Sequence, residues 1–190
     1  MHGLIANQLR LFVIDKLGRD AWRDVTDVAP DVLEEGPPSL DVPVADEIIV
    51  AAVVRAAEIA ETPVPEVLRG FGIFIAPALL RVYSPLVKPE WRTLDVIENT
   101  EERIHTAVRI KDPSAGPPYL KSRRVADDEV MIHYTSPRRL CMVAEGIAQG
   151  LADHFGETVV ISQPECMHRG NSRCLISVRR VSGLRESGNG

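Results

Sequence analysis

The sequence has few of the features that mark secreted and membrane proteins. It contains only 3 cysteines in 190 residues, an odd number, which argues against a secreted disulfide framework. Its N-terminus, MHGLIANQLR, lacks a basic segment followed by an apolar signal core, and its best apolar run, residues 48–59, is interrupted by Arg55 and Glu58. We therefore expect a cytoplasmic protein with no membrane partner.

Positive charge is also sparse and dispersed. The chain has 22 Lys and Arg against 27 Asp and Glu, a net charge of −5, and its basic residues never cluster beyond adjacent pairs. A nucleic-acid partner needs a concentrated basic field, so we exclude that class. The composition, 45% apolar and 26% charged, instead indicates one compact domain, or two intimate subdomains, with a buried core.

The spacing of apolar residues changes part-way along the chain. Spacings of three and four residues predict helices in the first half, and alternation predicts strands towards the C-terminus. The segment 109–124 is rich in proline and glycine, and we expect an irregular connector there. The expected helices cover residues 4–17, a short stretch capped by Asp20, 45–61, 66–83, 94–108 and 138–155, and the expected strands cover 130–135, 159–163 and 174–178.

Two of the expected helices have unusual sequence features. One proline and two glycines within the 66–83 helix predict a bend or a break. In the 94–108 helix, the apolar stripe leaves Glu101 and Glu102 on the opposite face, so we expect both carboxylates to face water.

His105 is the histidine whose surroundings most favour a ligand role. It lies on a predicted helix between Ile104 and Val108, with a Pro-Pro segment to follow. A lone helical histidine beside apolar residues is more often a satisfied core residue than a metal ligand. Its spacing therefore leaves both interpretations open.

The segment Tyr134-Thr135-Ser136-Pro137-Arg138 concentrates hydrogen-bond donors at the junction of a strand and a helix. Two hydroxyls and a guanidinium suit a pair of carboxylates, because arginine binds carboxylates through two parallel hydrogen bonds. The simpler alternative is that Ser136 caps the helix and Arg138 lies in solvent.

Taken together, four motifs resemble the heme nitric oxide/oxygen binding (H-NOX) family. They are the opening MHGLIANQLRLFVIDKLGRDAW, the GFG at 70–72, the helical His105 followed by Pro118, and the Tyr134-Ser136-Arg138 triplet. The resemblance covers about residues 1–181. It implies an α+β fold in which a helical N-terminal subdomain, 1–84, packs on a subdomain of antiparallel strands and helices, 85–181, with one heme b between them. We expect residues 182–190 to form a disordered tail.

The resemblance also assigns roles to individual residues. It implies that His105 is the proximal ligand of the heme iron and that Tyr134, Ser136 and Arg138 bind the heme propionates. The remaining assignments are apolar contacts: Ile5 and Pro118 press on the porphyrin, and Ile147 lies near its distal face.

The residues expected on the distal face of the heme indicate which gas the protein binds. Family members that hold dioxygen stably have a tyrosine five residues after the propionate arginine, where this chain has Val143. Leu9, Phe74 and Ile75, the neighbouring candidates, are apolar as well, so bound dioxygen would lack a hydrogen bond. The resemblance therefore implies a nitric oxide sensor that also binds carbon monoxide.

The three cysteines suggest a second site. A turn near Gly170 would bring Cys166 and Cys174 together, and with Cys141 they could hold zinc. Some family members have a histidine at the fourth ligand position, which is Gln163 in this chain, although His168 could substitute. Buried or redox-active free thiols are the equal alternative.

We therefore expect a stand-alone sensor rather than an enzyme. The sequence has no kinase or cyclase segment, so output would occur in trans, and the resemblance implies a histidine kinase or a cyclic-di-GMP enzyme as partner. The alternative is a heme-independent regulatory module of the same fold that acts through thiol redox chemistry or zinc.

Overall fold

The computed structural model describes residues 3–33, 44–112 and 115–181. The predicted tail 182–190 lies outside these ranges. The helices are α1 (Gly3–Leu17), α2 (Arg19–Thr26), α3 (Asp46–Ile59), α4 (Val64–Val82), α5 (Thr93–Asn99), α6 (Thr106–Lys111) and α7 (Cys141–Phe155). Short 3₁₀ turns cover Ser84–Leu86 and Met167–Arg169, and a π-helical turn covers Thr100–His105.

The first four helices enclose a core of their own. Leu9 and Val13 on α1 and Val25 on α2 are completely buried there. Leu9 and Val13 are four residues apart, a spacing that places them on one face of their helix. Of the bend or break predicted for α4, the break does not occur: the helix runs without interruption from Val64 to Val82 although Pro77 lies inside it.

The helix predicted over 94–108 is three segments rather than one. Between α5 and α6 the backbone forms a π turn, in which the N–H of Thr106 donates to the carbonyl of Glu101, five residues earlier. The hydroxyl of Thr106 donates to the same carbonyl at 3.0 Å. His105 is the last residue of this turn.

Four antiparallel strands form one sheet: β1 (Tyr119–Ala126), β2 (Glu129–Thr135), β3 (Thr158–Glu165) and β4 (Cys174–Val181), in the order β1-β2-β4-β3. The register places Tyr134 opposite Leu120 on one side and Cys174 on the other. The irregular connector predicted for 109–124 is therefore wrong at both ends, because α6 continues to Lys111 and β1 begins at Tyr119. β1 is an edge strand whose order comes from its ladder with β2, a long-range contact that local composition does not reveal.

A second core lies between the sheet and α7. Val130, Ile176 and Val178 are completely buried in it, and Ile147 on α7 packs against both cores. The predicted α+β class, with a helical half packed on a half that combines strands and helices, is confirmed.

Within the described ranges, no single helix is long and apolar enough to cross a membrane. α3 and α4 meet the length and composition criteria only as a pair, and they are bent by 109° at their junction.

Candidate functional site

A cavity of about 790 Å³ lies between the helical half and the mixed half. Most of its wall is apolar, and its size is within the range of small-molecule and cofactor sites. It brings together predicted site residues from distant parts of the sequence, namely Ile5, Ile75, His105, Pro118, Tyr134, Ser136, Arg138, Val143 and Ile147.

His105 contributes an imidazole to this wall, and its side chain is 14% exposed. Burial lowers the pKa of His105 below its ordinary value, outweighing the opposite effect of the Glu101 carboxylate. The ring is therefore neutral near pH 7, which is the form that binds a metal. Its Nδ1 lies 3.0 Å from Oε2 of Glu101. Because a carboxylate only accepts hydrogen bonds, Nδ1 carries the proton and Nε2 is left with the lone pair.

Glu101 does not face water as expected, whereas Glu102 is exposed. Besides His105, the Glu101 carboxylate accepts the backbone N–H of Leu120 at 3.0 Å and lies 2.8 Å from Nη1 of Arg109. Burial raises the pKa of Glu101, but Arg109, the Leu120 N–H and His105 together hold it below its usual range. Glu101 is therefore ionised beside the His105 ring.

Tyr134 and Ser136 lie at the end of β2 and are 3% and 5% exposed. Burial raises the pKa of Tyr134 to about 12, so its hydroxyl stays protonated and can donate. α7 begins only at Cys141, with Leu140 at its N-cap position, which excludes Ser136 as the cap of that helix. Ser136 Oγ instead accepts the backbone N–H of Arg138 at 3.2 Å.

Arg138 is not in solvent, since only 18% of its side chain is exposed. Its Nε donates to Oδ2 of Asp46 and its Nη1 donates to the carbonyl of Gly116, both at 2.5 Å. Burial raises the pKa of Asp46, but positively charged partners, the Arg138 guanidinium first among them, more than offset this and hold the pKa below its usual value. The guanidinium is thus held on the cavity wall by groups from α3 and from the segment before β1.

Two residues predicted for the distal wall lie elsewhere. Leu9 is completely buried in the helical core, and the ring of Phe74 packs edge-on against Phe12, with 5.6 Å between ring centroids. Neither lines the cavity, whereas Ile75 and Val143 do. Phe74 therefore packs towards α1, whereas its neighbour Ile75 lines the cavity.

The three cysteines converge as predicted. Sγ of Cys166 lies 3.8 Å from that of Cys141 and 3.9 Å from that of Cys174, and all three are buried. The proposed fourth zinc ligand does not join them, because His168 is exposed and its Nε2 bonds the carbonyl of Arg139 at 2.7 Å. Burial raises the pKa of Cys141 to about 12, as expected for a protonated thiol. The part of the chain that the structure describes therefore supplies three of the four expected ligands.

Sequence reasoning missed three residues of the site. Glu101 could have been found, since it lies four residues before His105, a spacing that makes helical side chains neighbours. Asp46 could not, because 92 residues separate it from Arg138. Tyr83 also lines the cavity, and burial raises its pKa.

Comparison with known families identifies the chain. Residues 2–163 match the profile of the Haem-NO-binding (HNOB) family, so the chain belongs to this family of heme-based gas-sensor domains. A search of curated proteins finds no significant match.

Solved H-NOX structures share the fold. An H-NOX protein from S. oneidensis in the Fe(II)NO state is 23% identical, with a TM-score of 0.86 over 96% of this chain and 100% of its own. The unliganded Fe(II) H-NOX protein from K. algicida is 16% identical, with a TM-score of 0.85 over 97% and 98%. An oxygen-binding H-NOX domain related to soluble guanylate cyclases is 19% identical, with a TM-score of 0.80 over the full length of both chains.

The residues of the cavity fit a heme. A mostly apolar wall suits a porphyrin, and the neutral imidazole of His105 is a donor that heme iron accepts. Tyr134, Ser136 and Arg138 provide two hydroxyls and a guanidinium, which match a pair of carboxylates. The donor set therefore agrees with the family assignment.

Proposed function

We propose that this chain senses nitric oxide through one heme b bound by His105. The observation that carries the proposal is the neutral imidazole on the wall of the 790 Å³ cavity, with its Nδ1 engaged by Glu101. When bound, ferrous heme would supply an iron atom that can bind both a histidine and a diatomic gas.

In this proposal, three side chains of the cavity wall orient the cofactor. Arg138 binds one or both propionates through its guanidinium, while Tyr134 and Ser136 donate hydroxyl hydrogens. Ile5, Pro118 and Ile147 line the same cavity, and we assign them to apolar contact with the porphyrin. The helical subdomain would comprise residues 1–84 and the second subdomain 85–181.

The apolar side chains of Ile75 and Val143 support nitric oxide and carbon monoxide as ligands rather than dioxygen. Bound dioxygen carries partial negative charge and gains stability from a hydrogen-bond donor, which neither side chain offers. Relatives of the same fold have been solved in the Fe(II)NO and Fe(II)CO states and as an oxygen complex, so the proposal rests on the side chains of this cavity and not on the fold.

The output we propose would be release of His105 from the iron, after which the segment Thr100–His105 and α6, which His105 joins, would be free to change position. A conformational signal of this kind needs a partner that binds the two states differently. We propose a histidine kinase or a cyclic-di-GMP enzyme acting in trans in the cytoplasm. Family membership disfavours the heme-independent thiol or zinc module.

The test is His105→Ala, purified with heme supplied during expression. We expect heme binding to be lost or severely weakened and to be restored by added imidazole, which replaces the missing side chain. His154→Ala, on an exposed histidine of α7, is the control and should keep the unmodified absorption spectrum. A His105→Ala protein with the wild-type five-coordinate ferrous spectrum would contradict the proposal.

A further inference from the structure

The hydrogen bond between Glu101 and His105 is built into the fold. The two side chains are 18% and 14% exposed, and 3.0 Å separates Oε2 of Glu101 from Nδ1 of His105. Both residues belong to the π turn Thr100–His105, a type of turn that is rare and frequently located at functional sites. The carboxylate therefore contacts the histidine from within the same turn of backbone.

Two further groups fix the carboxylate in place. The backbone N–H of Leu120, on β1, donates to Oε2 at 3.0 Å, and Nη1 of Arg109, on α6, lies 2.8 Å from Oε1. The carboxylate is therefore held by groups from the π turn, β1 and α6, and rotation of Oε2 away from the imidazole would also disturb its bond with the Leu120 N–H. This carboxylate fixes both the tautomer and the orientation of the His105 ring.

We propose that Glu101 is a positioning residue that sets the strength of the bond between His105 and the heme iron; this inference rests on the proposed function. A hydrogen bond from Nδ1–H to a carboxylate raises the electron density on Nε2 and makes the imidazole a stronger ligand. Glu101 thus opposes the release of His105 and sets how readily a gas on the other face breaks that bond.

Arg109 acts in the opposite direction. Its guanidinium shares the carboxylate with His105, so it withdraws part of the negative charge that the imidazole experiences. Glu101 and Arg109 therefore have opposite effects on the bond between His105 and the iron. Replacing Glu101 should weaken this bond, and replacing Arg109 should strengthen it.

The decisive variant is Glu101→Gln, which keeps the shape and an acceptor oxygen but removes the charge. In the ferrous, heme-loaded protein we expect the iron–histidine stretching frequency in resonance Raman spectra to fall and the reduction potential to rise. We also expect heme to dissociate about tenfold faster, the lower end of the effect of losing an outer partner of a metal-bound histidine. After nitric oxide addition, the five-coordinate absorption spectrum should develop faster than in the wild type.

Arg109→Met should shift the stretching frequency the other way, to higher wavenumber. The matched control is Glu102→Gln, which removes the same charge from the adjacent, exposed position and should leave the frequency unchanged. If Glu101→Gln does not fold, Arg109→Met against Glu102→Gln still tests the proposal.

Three results would overturn the inference. The first is an iron–histidine stretching frequency that is the same in Glu101→Gln and Glu102→Gln. The second is a shift of this frequency in the same direction in Glu101→Gln and Arg109→Met. The third is a frequency that does not rise in Arg109→Met. These results contradict the proposed role of Glu101 only if the His105→Ala variant has first been shown to lose heme. If His105→Ala keeps the wild-type spectrum, the proposed function fails first, so the two failures are distinguishable.

Discussion

Gly72 on α4 and Gly146 on α7 are in direct backbone contact. A Cβ added to Gly72 would lie 2.8 Å from Cα of Gly146, and one added to Gly146 would lie 2.9 Å from Cα of Gly72. Such distances are shorter than real Cβ contacts, so neither helix accepts a larger residue at the crossing without moving. Ile75 and Val143, on the same two helices, line the cavity, and the glycine contact therefore fixes the separation of this part of its wall.

The first prediction concerns this crossing. Gly146→Ala should destabilise the protein by about 1 to 3 kcal/mol, because overpacking forces the backbone apart. At roughly 2 to 4 °C per kcal/mol for a chain of this size, the thermal midpoint should fall by several degrees. Gly70→Ala is the control, since its Cβ would lie 3.5 Å from the Phe12 ring, an ordinary contact. Equal melting temperatures for the two variants would refute the close crossing.

The second prediction concerns the propionate site. Arg138→Met should weaken heme binding about ten- to hundredfold, the equivalent of roughly 1.5 to 3 kcal/mol for hydrogen bonds to a charged group. The loss should be smaller than in His105→Ala, because Tyr134 and Ser136 remain. Heme transfer to apomyoglobin measures the dissociation rate. Arg139→Met removes the same charge at the adjacent, exposed position, and a comparable loss there would show that overall charge, not Arg138, holds the cofactor.

The third prediction concerns dioxygen. The unmodified ferrous protein in air should oxidise or stay unligated, because Val143 offers no hydrogen bond to bound dioxygen, a loss of about 1 to 3 kcal/mol. Val143→Tyr should introduce dioxygen affinity measurable by absorption spectroscopy, and Val143→Phe, of similar size but without a hydroxyl, should not. A long-lived dioxygen complex in the unmodified protein would contradict the assignment and would make Tyr83, a phenol on the cavity wall, the next residue to replace.

The fourth prediction concerns alkaline pH. Burial raises the pKa of Tyr134 from 10.0 to about 12, so the unfolded chain loses this proton at lower pH than the folded one. The contribution of Tyr134 to stability is complete below pH 10.0 and falls as pH rises towards about 12, by roughly 2 to 3 kcal/mol.

Urea unfolding of Tyr134→Phe at several pH values checks this prediction. The stability of the variant relative to the wild type should increase between pH 9 and 11, since phenylalanine has no proton to lose. Tyr119→Phe, on the exposed edge strand, is the control and should follow the wild type. Parallel curves for the wild type and Tyr134→Phe would contradict the burial effect.

Much of the fold follows from local sequence. Residues spaced by three and four fixed α1 and α7 to within a few positions, because burying one face of a helix requires that period whatever the helix packs against. The alternation of Val130, Ile132 and Tyr134 gave β2 for the same reason. The local sequence did not predict elements that are stabilised by contacts with distant parts of the chain. The edge strand β1 exists through its ladder with β2, and the π turn interrupts a helix whose sequence reads as continuous.

The candidate site divides in the same way. Residue type and spacing made His105 and the Tyr134-Ser136-Arg138 triplet candidates but left the ordinary interpretations open, and the resemblance to the H-NOX family assigned their roles. Only the tertiary structure decided what each group touches. It brings Asp46 to Arg138 across 92 residues and Leu120 to Glu101 across 19, and it turns Phe74 away from the cavity. Charge, burial and hydrogen bonding depend on these distant neighbours, so the folded chain, not the local motif, sets the chemistry of the imidazole and the guanidinium.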